Sequence, residues 1–184
     1  MHFQKFEEKY IDDVVELSDK NLGKNFKTKE QYLDIHHNFT ESIDIIVVDG
    51  KAVGMNVVKT IHINFLSSHL LNGYDQIFDL FPNNSFIHFH IASAIEEEYN
   101  RVGIRTKLFD FSENHLKDIS PYWLSVAWAP GKIVRSDKLF RAFGLTPTLE
   151  IENYWFYDSL KRNYICAACG NPPCTCMAIL YTKG

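Results

Sequence analysis

Cysteine is missing from the first 165 residues of this 184-residue chain; all four lie between Cys166 and Cys176. No disulfide can staple the main body, so its stability must come from packing. Long apolar runs are missing too. None approaches the ~20 residues that a helix needs to cross a bilayer, so no membrane span or membrane partner is expected. The opening MHFQKFEEKY is charged and lacks the apolar stretch of a secretory signal. Together these point to a cytoplasmic protein. Excess basic charge is also lacking: Lys and Arg number 19 against 23 Asp and Glu, and the net charge is −4. That argues against a nucleic-acid partner, which is usually met by a basic face. Apolar residues are plentiful, at 46% hydrophobic and 14% aromatic, enough to bury a core. The length suits one domain with a short extension.

The first half reads as strand, helix, helix, hairpin. Phe3 and Phe6 suit an edge strand. Ile11, Val14, Val15, Ser18 and Leu22 form a helical stripe that Gly23 closes. Thr28-x-x-Gln31 has the capping-box pattern, with Tyr32, Leu33, Ile35, His36 and Phe39 behind it. Neighbours on a helix point about 100° apart, so His36 and His37 read as surface residues rather than a metal pair. Two β-branched runs then flank Asp49-Gly50, the strongest short hairpin signal. Residues 61–85 exceed a tight turn and are too apolar for a solvated loop, with Phe65, Leu66, Ile77 and Phe81 among them. They read as an inserted helical segment that covers a groove, forms a homodimer contact or adds a core layer.

Phe86–Ile95 reads as a strand, with Ile87, Phe89 and Ile91 on one face and His88, His90 and Ala92 on the other. Glu96, Glu97 and Glu98 read as a solvated bend. The turn Asn100-Arg101-Val102-Gly103-Ile104-Arg105 follows, and a helix starts at about Ile104, with Ile104, Leu108, Phe111 and Ile119 on one face. A strand, a glycine turn and a helix N-terminus make an anion site. The first helical N–H groups have no intrahelical partner. Gly103 lets a phosphate approach the backbone. Arg101 and Arg105 add positive charge.

This stretch resembles the acyl-CoA-binding signature of the GNAT N-acetyltransferase superfamily, Arg/Gln-x-x-Gly-x-Gly/Ala after a strand and opening a helix. Gly103 takes the central glycine. Asn100 stands where Arg or Gln is usual, and Arg105 where Gly or Ala is usual, so Arg105 either clamps the cofactor or blocks it. The element order matches as well, and the resemblance runs from about Ile11 to Leu160. It implies an α+β, three-layer GNAT-like acyl-CoA N-acyltransferase fold, with a mixed, mostly antiparallel central sheet flanked by helices. It also implies acetyl-CoA as co-substrate and an acetyl transfer to a primary amine of a small molecule or peptide. Ser93, Ala94 and Ile95 would bond the pantetheine arm. Asn100, Arg101, Val102, Gly103, Ile104, Arg105 and Thr106 would hold the pyrophosphate. Residues 61–85 would contribute to the acceptor pocket.

Tyr122–Ala129 reads as a central strand and Ser136–Leu145 as a short helix ended by Gly144. The helix resembles a second GNAT motif, Tyr-x-x-x-Gly-Phe, whose tyrosine is proposed to protonate the departing thiolate. Phe140 stands there and has no proton to give, so solvent or another residue must serve. Thr148–Ile151 and Asn153–Leu160 read as a closing strand pair. For the base, His88 and His90 lie on the implied strand, and an imidazole titrating near ~6.5 suits the task. A half-buried histidine bonded to a neighbour is the competing reading of each. Tyr154 and Tyr157 are candidate acids.

After Arg162, Cys166-x-x-Cys169 and Cys174-x-Cys176 are two thiol pairs joined by Gly170-Asn171-Pro172-Pro173. Four thiolates at ~2.3 Å satisfy tetrahedral zinc, and such a closed site is structural rather than catalytic. Disulfides, free thiols and an iron–sulfur cluster are the alternatives. The chain is therefore divided into a GNAT-like domain, 1–162, and a four-cysteine metal-binding tail, 163–184. The alternative function is a non-catalytic acyl-CoA-binding or protein-interaction member of the same fold, supported by Asn100, Arg105 and Phe140. A zinc-linked nucleic-acid module is disfavoured by the pI near 6.0.

Overall fold

The computed structural model describes residues 1–100 and 103–184. The edge strand β1 (His2–Lys5) leads to α1 (Ile11–Asn21), which buries Ile11, Val14, Leu17 and Ser18. Helix α2 (Lys29–His37) starts in the predicted capping box. Gln31 N–H donates to Thr28 Oγ1 at 3.3 Å, and Thr28 N–H donates to Gln31 Oε1 at 2.9 Å. Strands β2 (Glu41–Val48) and β3 (Lys51–His62) meet at Asp49 and Gly50. Their φ values of +49° and +81° suit the tight turn whose twist matches the strands.

Residues 61–85 are largely helical, as expected: a 3₁₀ turn (Ile63–Ser68), the short α3 (Tyr74–Ile77) and a second 3₁₀ turn (Phe78–Leu80). Ile63, Leu66 and Ile77 are fully buried against the sheet, so the segment adds a core layer. Strand β4 (Phe86–Ile95) coincides with the predicted strand, and α4 (Ile104–Leu116) starts where predicted. Then come β5 (Trp123–Ala129), α5 (Asp137–Ala142), β6 (Thr146–Ile151), α6 (Phe156–Arg162) and β7 (Met177–Lys183).

The seven strands lie in the order β1-β2-β3-β4-β5-β7-β6. Among the described residues, β4 and β5 pair in parallel and all other neighbours are antiparallel. Alternation along β2 builds the layers. Ile43, Ile45 and Val47 pack beneath α1 and α2, while Ile46 packs on the other face with Leu108 of α4. Helix α4 is pinned by a buried polar network: Ser112 Oγ donates to Asp44 Oδ2, and Asn56 Nδ2 donates to Ser112 Oγ at 2.8 Å. Among the described residues, no helix is long and apolar enough to cross a membrane.

Two sequence expectations are corrected. Asn153–Leu160 is not a strand: the chain turns at Asn153, with φ +53°, and continues as α6. The closing position beside β6 belongs to β7 instead. Residues 163–184 are not an appendage beyond the sheet either. β7 lies between β5 and β6 and pairs from Trp123↔Lys183 to Ala129↔Met177. Met177 to Tyr181 are all buried. An apolar run of that kind gains more from the centre of a sheet than from solvent, and the neighbouring cysteines hid it in the sequence.

Candidate active-site cleft

Strands β4 and β5 are paired for three residues only: His88↔Trp123, Phe89↔Leu124 and His90↔Ser125. Beyond them the strands part. The cause is a bulge in β4. β3 pairs Val58 with His90 and Val57 with Ala92, so Ile91 is an extra residue. A bulge bends its strand and increases its twist. β4 then follows β3 as far as Gly54↔Ile95, while β5 follows β7 to its end. A cleft of about 320 Å³ opens between them. Ile91, Ala92 and Ser93 line one side, and Val126, Ala127 and Trp128 the other.

The implied cofactor residues gather here unevenly. Ser93 lines the cleft, whereas the side chains of Ala94 and Ile95 turn into the cores beneath α1 and α4. Along Ile91–Ile95 the backbone of β4 has β3 as its strand partner on one edge and no strand on the cleft edge. Gly103 caps α4 at φ +97°, without a side-chain cap bond. A Cβ built there would meet nothing within 4 Å. Ile104 packs with Leu108 and Ile95, and Thr106 is half-buried. Asn100 is exposed, its N–H held by Glu97 O at 3.1 Å. Arg101 and Val102 lie outside the described residues.

Arg105 faces into the cleft, and its buried Nε has no hydrogen-bond partner among the described residues. Burial, then the charge of Arg135, holds its pKa below the usual arginine value. Lys27 and Arg162 also line the cleft. Burial, then Arg162, lowers the Lys27 pKa. Arg162 is held by Asp158 at 3.3 Å.

The two histidines separate clearly. His88 is fully buried and spoken for: Nδ1 meets Thr60 Oγ1 at 2.9 Å, and Nε2 faces the carbonyl oxygens of Leu116 and Ser120 at 3.1 and 3.2 Å. It is a bonded core residue and does not line the cleft. His90 does line it. Its Nδ1 lies 2.8 Å from Ser125 Oγ, and its Nε2 has no partner among the described residues. Burial, then the Arg105 charge, pushes its pKa down to about 3, so the ring is neutral. Phe109 and Phe140 meet it edge-on at 5.3 and 5.6 Å. Tyr154 is a cleft residue whose hydroxyl accepts a bond from Leu71 N–H at 3.1 Å. Burial raises its pKa to about 12. Tyr157 is exposed and outside the cleft lining.

Sequence reasoning missed Ser125, Lys27 and Trp128. Ser125 had a signal, as the one hydroxyl in the apolar run WLSVAWA. Lys27 had none, because its place in the cleft comes from how the α1–α2 connection folds back.

The four cysteines do converge. Their sulfurs lie within 4.8 Å of one another, with Cys166–Cys176 at 3.9 Å, Cys169–Cys174 at 3.8 Å and Cys169–Cys176 at 3.1 Å. Four sulfurs ~2.3 Å from one ion at tetrahedral angles lie about 3.8 Å apart. The N–H groups of Ala168 and Cys169 both point at Cys166 Sγ, at 3.5 Å each, as donors to a thiolate do.

A mixed sheet whose parallel central pair opens into a cleft above a glycine-capped helix is the GNAT acyl-CoA N-acyltransferase fold. Solved structures of that class superpose on nearly the whole chain. Arabidopsis thaliana NAA60 in complex with acetyl-CoA matches with a TM-score of 0.71 at 9% identity, over 98% of this chain and 96% of that one. An acetyltransferase of the GNAT family from Streptococcus pneumoniae matches at 0.63 and 11%, over 99% and 98%. The ribosomal-protein-S18-alanine N-acetyltransferase of Escherichia coli matches at 0.65 and 10%, over 99% and 92%. No protein-family profile and no curated protein sequence matches the chain.

Proposed function

We propose that the protein is an acetyl-CoA-dependent N-acetyltransferase acting on a primary amine. The observation that carries this reading is the parting of β4 and β5 after His90 and Ser125, which frees one edge of the β4 backbone along a cleft of about 320 Å³. The pantetheine arm lies along Ser93–Ile95 in place of a neighbouring strand. The pyrophosphate sits at the first turn of α4, where Gly103 leaves open space and Arg105 offers its unpaired Nε–H. Backbone N–H groups on the free edge polarise the thioester carbonyl. The amine enters from the end walled by Phe26, Lys27, His69 and Leu71.

Of the two candidate bases, His90 is the one with a free nitrogen. With Nδ1–H donating to Ser125 Oγ, its Nε2 presents a lone pair that accepts a hydrogen bond from the amine and orients it, while a ring whose pKa is held at about 3 leaves the proton itself to solvent. No hydroxyl stands at Phe140, so solvent in the cleft protonates the thiolate. Tyr154 is a wall residue in this reading; its hydroxyl accepts from Leu71 N–H and keeps its own proton, and the Tyr154→Phe variant tests whether that proton is used.

Phe140 also favours a second reading, an acyl-CoA-binding protein that does not transfer. Calorimetry with acetyl-CoA and thiol release with a panel of amines separate the two. Binding with release supports the enzyme, binding without release on any amine supports the binder, and no binding removes both. The four cysteines are taken to hold a structural zinc ion, each thiol giving up its proton on binding.

A further inference from the structure

The segment from Asn163 to Cys176 contains no helix and no strand beyond one isolated bridge, in which Cys166 and Gly170 exchange two backbone bonds of 2.9 Å. An irregular stretch this long is uncommon in a compact domain without a function of its own. It does not hang free. Ile165 N–H donates to Lys24 O at 3.1 Å, which ties the segment to the α1–α2 connection. Gly23 lies so close to it that a Cβ there would sit 2.1 Å from Ile165 O. Cys174 N–H donates to Ser159 Oγ at 2.8 Å, which ties it to α6. Trp128 of β5 and Trp155 pack on the buried sulfurs.

One loop therefore braces three separate pieces of the cleft: the α1–α2 connection, the start of α6 and the end of β5. Cys166 and Cys174 themselves line the cleft, so the cluster is part of its wall. Phe26 and Lys27 line the same cleft, and Phe26 meets Tyr164 of the loop at 6.1 Å between ring centroids, whereas Gly103 is not among the lining residues. Yet the hydrogen bonds that hold the loop are few, and three of its four thiols are buried. Packed side by side with no cation, those sulfurs offer each other little more than weak S–H contacts, so the loop has no strong tie at its centre.

We propose that the four cysteines bind zinc as a wall of the cleft, and that the metal holds the acceptor end in shape while leaving the acetyl-CoA end unaffected. This deepens the structural-zinc reading above and rests on it. The bound ion replaces weak thiol contacts with four metal–sulfur bonds. It thereby fixes Cys166 and Cys174, and through Ile165 and Ser159 it fixes the positions of Lys24 and α6. The acceptor wall is then ordered only when metal is present, which makes zinc loading a condition for recognising the amine.

The test uses the full chain in reducing buffer in three forms: as purified, stripped with a chelator, and stripped then given back Zn²⁺. Elemental analysis reads the metal, hydrogen exchange reads local order, and calorimetry reads acetyl-CoA affinity. About one zinc per chain is expected, as one closed four-thiolate site holds one ion. Stripping should speed exchange by about tenfold or more at Ile165, Cys174, residues 22–28 and α6, and Zn²⁺ should reverse it. The amides of Leu124 and Ser125 and the acetyl-CoA affinity should move by less than about threefold. Cys169→Ser removes the exposed ligand and should reproduce the stripped pattern without chelator.

Zinc that comes and goes with no change in exchange at those amides overturns the proposal. So does exchange that rises equally in β4 and β5, because the metal would then serve the whole fold. Absence of zinc in reduced protein removes the metal and the proposal together. Failure to bind acetyl-CoA in all three forms removes the transferase and the acyl-CoA-binder readings but not the metal-ordered wall, since the exchange measurement needs no substrate.

Discussion

His90 and Ser125 form the last cross-strand pair between β4 and β5, and their side chains meet at 2.8 Å where the strands begin to part. Ile91, the next residue of β4, is the bulge. The same two residues thus close the paired part of the sheet, and His90 lines the cleft where it begins. The bond also orients the imidazole, and Nε2 is left without a partner among the described residues. Position and chemistry at this point share one cause, the extra residue that bends β4 away.

His90 should make the protein lose stability in acid. Burial holds its pKa at about 3, below the ~6.5 of an unfolded chain. Between those values the unfolded chain binds a proton that the folded chain refuses. The contribution is therefore fully present above ~6.5 and is lost as pH falls toward about 3, by up to about 1.4 kcal/mol per pH unit. His90→Gln removes this titration and leaves that of His88, whose pKa burial also lowers. Urea midpoints measured from pH 7 to 4 should fall less steeply in the variant. Parallel slopes would show that His90 is not neutral in the fold.

Gly103→Glu should abolish acetyl-CoA binding, because a carboxylate would occupy the phosphate site at the helix N-terminus. Gly103→Ala is the control. At φ +97° it should cost about 1–2 kcal/mol of stability through backbone strain while adding only a methyl group to open space. Calorimetry on both variants decides, and unchanged affinity in Gly103→Glu would remove the site assignment.

Arg105→Ala distinguishes a clamp from a plug. Its Nε is buried without a partner among the described residues, so a phosphate would supply an acceptor. A hydrogen bond to a charged group is worth about 1.5–3 kcal/mol, so affinity for acetyl-CoA should fall by about tenfold or more. The loss should shrink at high salt, where the wild-type interaction is itself screened. Tighter binding in the variant would mean that the arginine fills the space the cofactor needs.

Tyr154→Phe should leave turnover within about twofold and lower stability by about 1 kcal/mol, the usual worth of one lost hydrogen bond. The bond concerned is Leu71 N–H to the phenolic oxygen. Thermal unfolding and thiol release measured on the same preparation check it. A loss of release of about a hundredfold or more would instead make Tyr154 the general acid.

Much of this was legible beforehand because local patterns decide local structure. The Thr28–Gln31 box, the Asp49-Gly50 turn and the strand from Phe86 to Ile95 each depend on a few adjacent residues, and each stands where it was expected. The cysteine spacing likewise brought four sulfurs together. The errors came where one segment competed with another for a place in the sheet. MAILYTK and the residues after Ile151 could each have closed it, and nothing within either stretch says which does.

By itself, then, the order of residues determined most of the elements, the glycine at the head of α4 and the two thiol pairs of the cysteine loop. Those follow from backbone sterics, hydrogen bonding and thiol chemistry over short distances. Only the tertiary structure decided that β4 leaves β5 after His90, that His88 has both ring nitrogens bonded while His90 has one, and that the cysteine loop walls the cleft. Each of those depends on which distant strand pairs with which, and pairing is settled by the burial of the whole sheet.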